Sequence, residues 1–351
     1  MQANVPDGPG EWRDLNLILT VLPETKAFVF GGYLKGNGSA WFDDIRFDAI
    51  TASAGKPSPA VRTYLNKAIS LVKKHALVRD SIPWKETEAT MFSLATGMQS
   101  EAEAHTVVAY LLNVMRRHGD NHSHFQRPVS VKNLYADKPA EDAPKPEGRY
   151  LGEGVGYVAV PRFWGVNSAR ETEFTEAIQR IIQSVDTAQA TVGWVVDLRK
   201  NQGGNMWPMI AGLRPLIGEG TLGYFVSGKR EQPWTYKSAA PKSYTLRHNP
   251  TRIAVLIGPQ TASSGEMTAL SFIGLPTVRT FGLKSGGYTT ANQSFTLPDG
   301  AELYLAVSGS ADRTKKTYPH GIVPDEEVKA DSQGTTDATL AAAKAWLTSS
   351  K

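Results

Sequence analysis

The sequence predicts an α/β (α+β) fold, in which a short β segment and a small helical bundle precede an α/β core. Two observations support this prediction. Between residues 58 and 118, apolar residues recur at spacings of three and four, which is the period of an amphipathic helix. From residue 151 onward, short apolar runs alternate with helical patterns, which favours a partly parallel sheet covered by helices.

Composition excludes several classes of protein. The 351 residues are 41% hydrophobic and 21% charged, as in a soluble globular protein of more than one part. The net charge of +4 is spread along the chain without a basic cluster interleaved with aromatics, so nucleic-acid binding is not expected. No apolar run reaches the length of a transmembrane helix.

The absence of cysteine has direct chemical consequences. It excludes disulfides, thiolate zinc sites and a cysteine nucleophile. The first residues, MQANVPDGPGEW, also lack the basic-then-apolar pattern of a signal peptide. We therefore expect a cytosolic protein, or a chain whose leader is missing from this sequence.

Residues 1–52 are predicted to form the β segment. The runs LNLILTVLP, KAFVFGGYLKG and SAWFDDIRFDAI are typical of strands separated by Gly, Asn and Asp turns. Three strands are too few for a stable sandwich, and GNGSAWFDDIRF resembles the last strands of jelly-roll, carbohydrate-binding modules. We expect a truncated jelly-roll-like module or an edge addition to the core.

Residues 58–125 are predicted to form the helical bundle, and residues 126–150 a cap or loop. AVRTYLNKAISLVKKHAL and EAEAHTVVAYLLNVMRRH have helical periods, and a third helix is expected after Pro83. The bundle pattern ends at GDNHSHF. The stretch that follows, RPVSVKNLYADKPAEDAPKPEGR, is polar and rich in proline, as loops are.

Residues 151–350 are predicted to form the α/β core. Strand patterns lie in GYVAV, GWVVDLRK and RIAVLIG and near residues 278, 294 and 303. Helical patterns lie in TEFTEAIQRIIQSV, MIAGLRPLIG, GEMTALSFIG and TTDATLAAAKAWL. Because ligands of such sheets bind beyond the carboxyl ends of the strands, the segments after GWVVD and IAVLI should be neighbours in space.

Two serines follow IAVLI in the segment TASSGE. Ser263 and Glu266 have the S-x-x-E spacing of a capping box, in which a serine hydroxyl and a glutamate bind free N–H groups at a helix start. On spacing alone, capping is the more common interpretation. The alternative is a serine nucleophile, which needs a base and an oxyanion site elsewhere in the chain.

Two other segments contain a candidate base and candidate N–H groups for an oxyanion site. His122 and His124 follow the last helical pattern of the bundle, and Gly203 and Gly204 follow the strand GWVVD. A glycine pair lets backbone N–H groups approach a substrate, and with the N–H after a nucleophile it could form an oxyanion hole. H-x-H can also bind zinc, but no third ligand is evident nearby, so no metal and no cofactor is expected.

Four motifs in this order resemble those of the tail-specific, or C-terminal-processing, serine protease family. They are D-x-H-S at 120–123, D-L-R-x-N-x-G-G at 197–204, T-A-S-S-G-E at 261–266 and G-I-V-P-D at 321–325. Each motif is weak alone, but the four occur in order, and the resemblance covers residues 58–330. TASSGEM and GGNMW resemble the nisin-resistance branch, which pairs its serine with a histidine, as the tricorn core does.

The resemblance implies a serine peptidase with a crotonase-like core of the tail-specific protease type. The family nucleophile lies three residues before the acidic residue, which makes it Ser263. The N–H of Ser264 would then form the oxyanion hole with that of Gly203 or Gly204. The alternative for Ser264 is that it only helps to cap the helix.

The resemblance also implies that the general base is a histidine. Many relatives use a lysine after a G-x-x-T-x-G turn, which here is GLKSGGYTT with Tyr288 in the lysine position, and Lys284 lies four residues too early. Alignment with the family places the catalytic imidazole at His122, with His124 as the alternative. The unperturbed pKa of imidazole, about 6.5, suits proton transfer at neutral pH.

The group that orients this histidine is left open. Glu266 and Asp312 are the candidates. A tetrad of the tricorn type would have a carboxylate at about the position of Tyr318. A Ser–His dyad without a third member is therefore the alternative.

The expected partner is a peptide or protein substrate. Asn205, Met206 and Trp207 follow the glycine pair and either border the substrate groove or pack under the cap. About 25 residues separate Phe125 from the core, too few for the PDZ domain that many relatives insert there. The resemblance implies a periplasmic or secreted protein. The alternative functions are a carboxylesterase on the same scaffold and a non-catalytic peptide- or carbohydrate-binding module.

Overall fold

The computed structural model describes residues 12, 26–27, 31, 39, 41–48, 55–128, 131, 143–166, 168–236, 241–329 and 337–349. Most of residues 1–52 and most of the predicted cap at 126–150 lie outside the described residues. Residues 41–48 of the third strand predicted within 1–52 are described, and they are exposed and form no strand, so this part of the prediction is wrong. The chain divides into two compact units. The first comprises Met1–Lys74, Val78–Gly119 and Leu297–Asp299, and the second comprises His75–Leu77, Asp120–Thr296 and Gly300–Lys351.

The first unit contains helices where the apolar spacing predicts them. Apart from the last residue of the first helix, it contains α1 (Pro59–His75), α2 (Trp84–Leu94), α3 (Glu101–Arg117) and a 3-10 helix at Arg79–Ser81. The buried residues of α1 recur at spacings of three and four and include Val61, Leu65, Ala68 and Val72. This stripe is the apolar face of an amphipathic helix, which packs on its neighbours.

The second unit holds the strands and the remaining helices of the described part of the chain. The strands are β1 (His124–Gln126), β2 (Glu147–Tyr150), β3 (Val155–Ala159), β4 (Gly193–Asp197), β5 (Gly223–Ser227), β6 (Arg230–Trp234), β7 (Arg252–Ile257), β8 (Val278–Gly282), β9 (Thr290–Thr296), β10 (Glu302–Ala311) and β11 (Glu326–Glu327). The helices are α4 (Ser168–Ala188), α5 (Met206–Gly212), α6 (Arg214–Ile217), α7 (Ser264–Leu270) and α8 (Ala338–Thr348). None of the described helices is long and apolar enough to cross a membrane.

A six-stranded, mostly parallel sheet forms the centre of the second unit. Its strand order is β11–β8–β7–β4–β3–β2, and only β2 runs antiparallel, at the edge beside β3. β4 is buried throughout and β7 nearly so, because helices cover both faces of the sheet. The strand–helix alternation in the sequence therefore predicted the core correctly.

Alternate residues of the strands belong to two separate apolar cores, as the pleat of a strand requires. Trp194 and Val196 pack in the larger core, which α4, α5, α6 and α7 complete. Val195 and Leu256 pack in the smaller core, against residues of α8 such as Leu347. Packing on both faces fixes the carboxyl ends of β4 and β7, where the predicted site residues follow.

A second, antiparallel sheet was only partly predicted. Its order is β1–β10–β5–β6, and β9 also pairs with β10. The sequence indicated strands near β9 and β10 but not the hairpin of β5 and β6. In this hairpin Ser227 pairs with Arg230 across a two-residue turn whose first residue, Gly228, has a φ of 59°, as two-residue hairpin turns of type II′ require.

β10 connects the segments that surround the predicted histidines. It pairs with β1, where His124 lies opposite Tyr304, and with β9, where Thr290 lies opposite Gly309. One strand therefore holds both the GDNHSHF segment and the end of the GLKSGGYTT segment. These two segments are distant in sequence, and the ladder brings them together.

Candidate active site

Ser263 lies in a tight turn between β7 and α7. Its φ of 54° and ψ of −120° fall in a region that residues other than glycine rarely adopt. The turn is held against the end of β4, because Ala262 N–H donates to the Asn201 carbonyl at 3.0 Å and Thr261 Oγ1 donates to the Leu198 carbonyl at 2.8 Å. A strained strand-to-helix turn of this kind exposes a serine hydroxyl.

His122 contacts Ser263 directly. Its Nε2 lies 2.9 Å from Oγ of Ser263. The histidine segment is held by Asp120, whose carboxylate accepts the N–H of His122 at 3.0 Å and the N–H and hydroxyl of Ser123 at 2.8 and 2.6 Å. The carbonyl of His122 accepts a hydrogen bond from Asn292 Nδ2 at 3.1 Å. A serine hydroxyl bonded to an imidazole is the arrangement that an activated nucleophile needs.

The other ring nitrogen of His122 contacts a threonine. Nδ1 lies 2.6 Å from Oγ1 of Thr290, the first residue of β9. No sequence pattern marks this residue. The turn that contains it differs from the family pattern by its missing lysine. Thr290 lies 168 residues from the histidine, so no short motif could predict the contact between them.

Glu266 lies beneath the nucleophile turn. Its side chain is fully buried, and its carboxylate accepts four hydrogen bonds, from the N–H groups of Ser263 at 2.9 Å, Gly287 at 2.9 Å and Tyr288 at 2.8 Å and from the hydroxyl of Ser285 at 2.5 Å. The bond from Ser263 is the glutamate half of a capping box. Burial raises the pKa of Glu266, and the four hydrogen bonds oppose that rise.

Asp312 lies in a different turn. It accepts hydrogen bonds from the Tyr318 hydroxyl at 2.7 Å, from the hydroxyl and N–H of Thr314 at 2.6 and 2.7 Å and from the N–H of Lys316 at 3.1 Å. In the described part of the chain, neither Asp312 nor Glu266 is hydrogen-bonded to the imidazole of His122. Both carboxylates hold backbone turns.

The glycines after β4 have different environments. The N–H of Gly203 donates to Asn201 Oδ1 at 3.0 Å. The N–H groups of Gly204 and Ser264 have no hydrogen-bond partner among the described residues. The hydroxyl of Ser264 donates to the Gly204 carbonyl at 2.5 Å, which holds the two loops together. Two unused N–H groups beside Ser263 suit a developing oxyanion, and Gly204 fits that role better than Gly203.

The close approach of the backbones explains why glycine occupies position 204. Gly204 has a φ of 106°, and a Cβ there would lie 1.9 Å from the carbonyl oxygen of Phe163. The two residues form a parallel bridge. A side chain would therefore push the loop that carries the free N–H out of position.

The three residues that follow the glycine pair begin α5. Asn205 caps the helix, because its Oδ1 accepts the N–H of Trp207 at 3.1 Å, and its Nδ2 donates to Glu171 at 2.9 Å. Met206 is buried in the larger core, and Trp207 is half-buried against it. These contacts give all three a capping or packing role, and a place in the substrate groove stays a prediction.

His124 makes contacts of another kind. Its Nδ1–H donates to the carbonyl of His122 at 3.1 Å, and its ring stacks on Tyr304 with 4.6 Å between centroids. It has no hydrogen bond to Ser263. Among the described residues, no group of three or more His, Cys, Asp or Glu side chains could hold a metal ion.

The imidazole of His122 is neutral at pH 7. Burial lowers its pKa to about 4, and the neighbouring imidazole of His124 acts in the same direction. Asp120 and a hydrogen bond to the backbone of Thr290 oppose this shift. A neutral ring can accept a proton at Nε2, which a protonated ring cannot.

Known proteins are similar to this chain in sequence and in fold. Residues 154–328 match the model of peptidase family S41. The nisin-resistance protein of Lactococcus lactis subsp. lactis is 29% identical over 277 residues, a match that covers 76% of this chain and 83% of that protein. The family resemblance inferred from the four motifs is therefore confirmed.

Two solved structures are similar to this chain in fold. A lipoprotein from Streptococcus agalactiae superposes with a TM-score of 0.70 at 27% identity, over 83% of this chain and 96% of that one. The photosystem II D1 C-terminal processing protease superposes with a TM-score of 0.56 at 15% identity, over 80% and 99% of the two chains, and so shares the fold. The chain belongs to peptidase family S41 and is a serine-type peptidase.

Proposed function

We propose that this peptidase cleaves peptide bonds by a Ser–His mechanism, with Ser263 as the nucleophile and His122 as the general base. The observation that supports the proposal most is the distance of 2.9 Å between Nε2 of His122 and Oγ of Ser263. The neutral imidazole is in the state that a base requires. The free N–H groups of Gly204 and Ser264 lie beside the same serine.

Each group then has a defined step. Oγ of Ser263 attacks the carbonyl carbon while Nε2 of His122 takes the hydroxyl proton, and the N–H groups of Ser264 and Gly204 bind the oxyanion. His122 gives the proton to the leaving amine as the C–N bond breaks, which leaves an ester on Ser263. Water, deprotonated by the same ring, attacks this ester, and the ring returns the proton to Oγ of Ser263 as the C–O bond breaks and the new carboxyl terminus is released.

Digestion of a proteome-derived peptide library by the wild type and by Ser263→Ala tests the proposal. New termini should form only with the wild type, and their positions report the side-chain and end preferences. Turnover of aryl esters without peptide cleavage would favour the carboxylesterase. No turnover of either substrate, together with no fluorophosphonate label on Ser263, would favour a non-catalytic binding module.

The relatives supply the finer part of the proposal. Cleavage near the C termini of peptides follows from the resemblance to C-terminal-processing proteases. One relative is named for resistance to nisin, so nisin belongs in the substrate panel. A periplasmic or secreted location is proposed because another relative is a lipoprotein. Fractionation of cells that express the native gene tests the location, and a purely cytosolic enzyme would contradict it.

The pH dependence of kcat/KM should reveal the burial of His122. Activity requires the neutral ring, so it falls as the pH drops through the pKa of the free enzyme. Because burial lowers this pKa to about 4, kcat/KM should stay near its maximum at about pH 6, where an ordinary histidine, with a pKa of about 6.5, is mostly protonated. Rates on one peptide across this range provide the measurement. A half-maximal rate near pH 6.5 would contradict a buried, neutral base.

Tyr288→Phe should retain most of the activity. The ring of Tyr288 meets the His122 imidazole edge-on, with centroids 5.4 Å apart, and phenylalanine keeps this contact. Because the imidazole supplies the base, the missing hydroxyl should change kcat/KM only a few-fold. Tyr288→Ala, which removes the ring, is the comparison. A loss from Tyr288→Phe as deep as that from Ser263→Ala would show that the phenol takes part in proton transfer.

A further inference from the structure

The imidazole of His122 lacks a carboxylate partner among the described residues. Asp120, the nearest acidic residue in sequence, uses its two oxygens on the N–H groups of His122 and Ser123 and on the Ser123 hydroxyl. The two other carboxylates considered for this role hold backbone turns, as described above. The partner of Nδ1 is instead the hydroxyl of Thr290, at 2.6 Å.

We infer that Thr290 is a positioning residue that keeps the proton of His122 on Nδ1 and leaves Nε2 free to accept the proton of Ser263. The inference rests on the proposed function. A neutral imidazole carries one N–H, and the partner of each nitrogen decides which one bears it. With the proton on Nε2, that nitrogen would donate to the Ser263 hydroxyl instead of accepting its proton, and the ring could not act as a base there.

Thr290 offers acceptors on both its side chain and its backbone. Its hydroxyl oxygen has lone pairs that can accept the Nδ1–H. The backbone of Thr290 also acts on the ring and raises the pKa of His122, as a carbonyl that accepts a ring N–H would. The hydroxyl can accept the Nδ1–H, and the carbonyl can only accept.

The position of Thr290 is fixed independently of the histidine. It opens β9 and pairs with Gly309 of β10, and β10 pairs with β1 through Tyr304 and His124. The acceptor and the histidine segment are therefore attached to the same strand. A group held in this way can select one orientation of the ring without substrate.

A hydroxyl differs from the carboxylate of a Ser–His–Asp arrangement in one respect. It orients the ring but brings no negative charge to stabilise the imidazolium, which a carboxylate would do. Three other groups lie near the ring among the described residues. The imidazole of His124 lowers the pKa of His122, and Asp120 raises it. The third group is the aromatic ring of Tyr288. The low pKa of His122 agrees with an uncharged partner at Nδ1.

The tautomer can be measured without turnover. Long-range proton–nitrogen correlation spectra of the full chain with isotope-labelled histidine, assigned with His122→Ala, should show His122 in the Nδ1–H form at neutral pH. Thr290→Val removes the hydroxyl and should move part of the population to the Nε2–H form, and Thr290→Ser should restore the wild-type spectrum. Thr289→Val is the matched control, because that hydroxyl donates to the Tyr318 carbonyl, and it should leave the tautomer unchanged.

The kinetic result should separate positioning from general damage. Thr290→Val should lower kcat by about tenfold or more with little change in KM, and Thr290→Ser should recover most of the rate. An unchanged tautomer and kcat in Thr290→Val, or a wild-type ring in the Nε2–H form, would overturn the inference while leaving Ser263 and His122 assigned. Activity that survives Ser263→Ala would instead overturn the proposed function, and the spectra would still decide the tautomer.

Discussion

Ser263→Ala and His122→Ala are each expected to lower kcat/KM for a peptide by several orders of magnitude. The nucleophile and its base act in one step, so removing either one removes the same function. The double variant should therefore be scarcely slower than either single variant. Measurement of kcat/KM for all three on one peptide, beside the wild type, checks both the size of the loss and its non-additivity.

His124→Ala is the matched control for the histidine assignment. His124 lies two residues from His122 and is partly buried like it, but its ring bonds to the carbonyl of His122 and stacks on Tyr304. We expect a milder loss through local packing. If His124→Ala proves the more damaging change, the base is misassigned by two residues. If both are mild while Ser263→Ala is inactive, the base lies elsewhere, and Lys284 is the first residue to test.

Glu266→Ala is expected to lower the free energy of unfolding by about 3 kcal/mol, because a buried donor left without an acceptor costs about 1–3 kcal/mol. The carboxylate is fully buried, and its loss leaves four donors without an acceptor, those of Ser263, Ser285, Gly287 and Tyr288. Typical domains have only about 5–15 kcal/mol of stability, so the effect should be large. Activity should fall as well, because the nucleophile turn loses its support.

Glu176→Ala controls for the loss of a glutamate as such. Glu176 is exposed and pairs with Arg180 one turn later at 3.3 Å, so its removal should change the stability by less than about 0.5 kcal/mol. Urea denaturation of both variants, followed by circular dichroism, provides the comparison. A loss below about 1 kcal/mol for Glu266→Ala, the net value of one ordinary hydrogen bond, would contradict the role of the carboxylate.

The core of the second unit is largely predictable from local sequence. GWVVD and RIAVLI are short, apolar and rich in β-branched residues, which is typical of strands buried on both faces. The helices between them have apolar residues at spacings of three and four. These patterns arise because a strand or helix buries one or both of its faces. The structure places β4, β7, α4 and α7 where the patterns occur.

The antiparallel hairpin of β5 and β6 could not be predicted from such patterns. β6 has the sequence REQPW and is exposed except at Trp234. An edge strand of this kind buries too little apolar surface to show the alternation that marks a half-buried strand. Its pairing with β5 depends on the two-residue turn, and β5 is in turn paired with β10, so the hairpin is a property of the folded chain.

The sequence by itself determined the class of this protein, because four short motifs in order resemble those of a serine peptidase family. These motifs predict Ser263, His122 and a glycine pair as its site. Only the tertiary structure decided which neighbouring groups form hydrogen bonds with them. Of the two glycines, Gly204 is the one whose N–H has no partner among the described residues, because the N–H of Gly203 donates to the side chain of Asn201. It placed the hydroxyl of Thr290 beside His122 because β10 joins two segments 168 residues apart. Hydrogen bonds between distant segments depend on strand pairing and leave no periodic pattern in the chain.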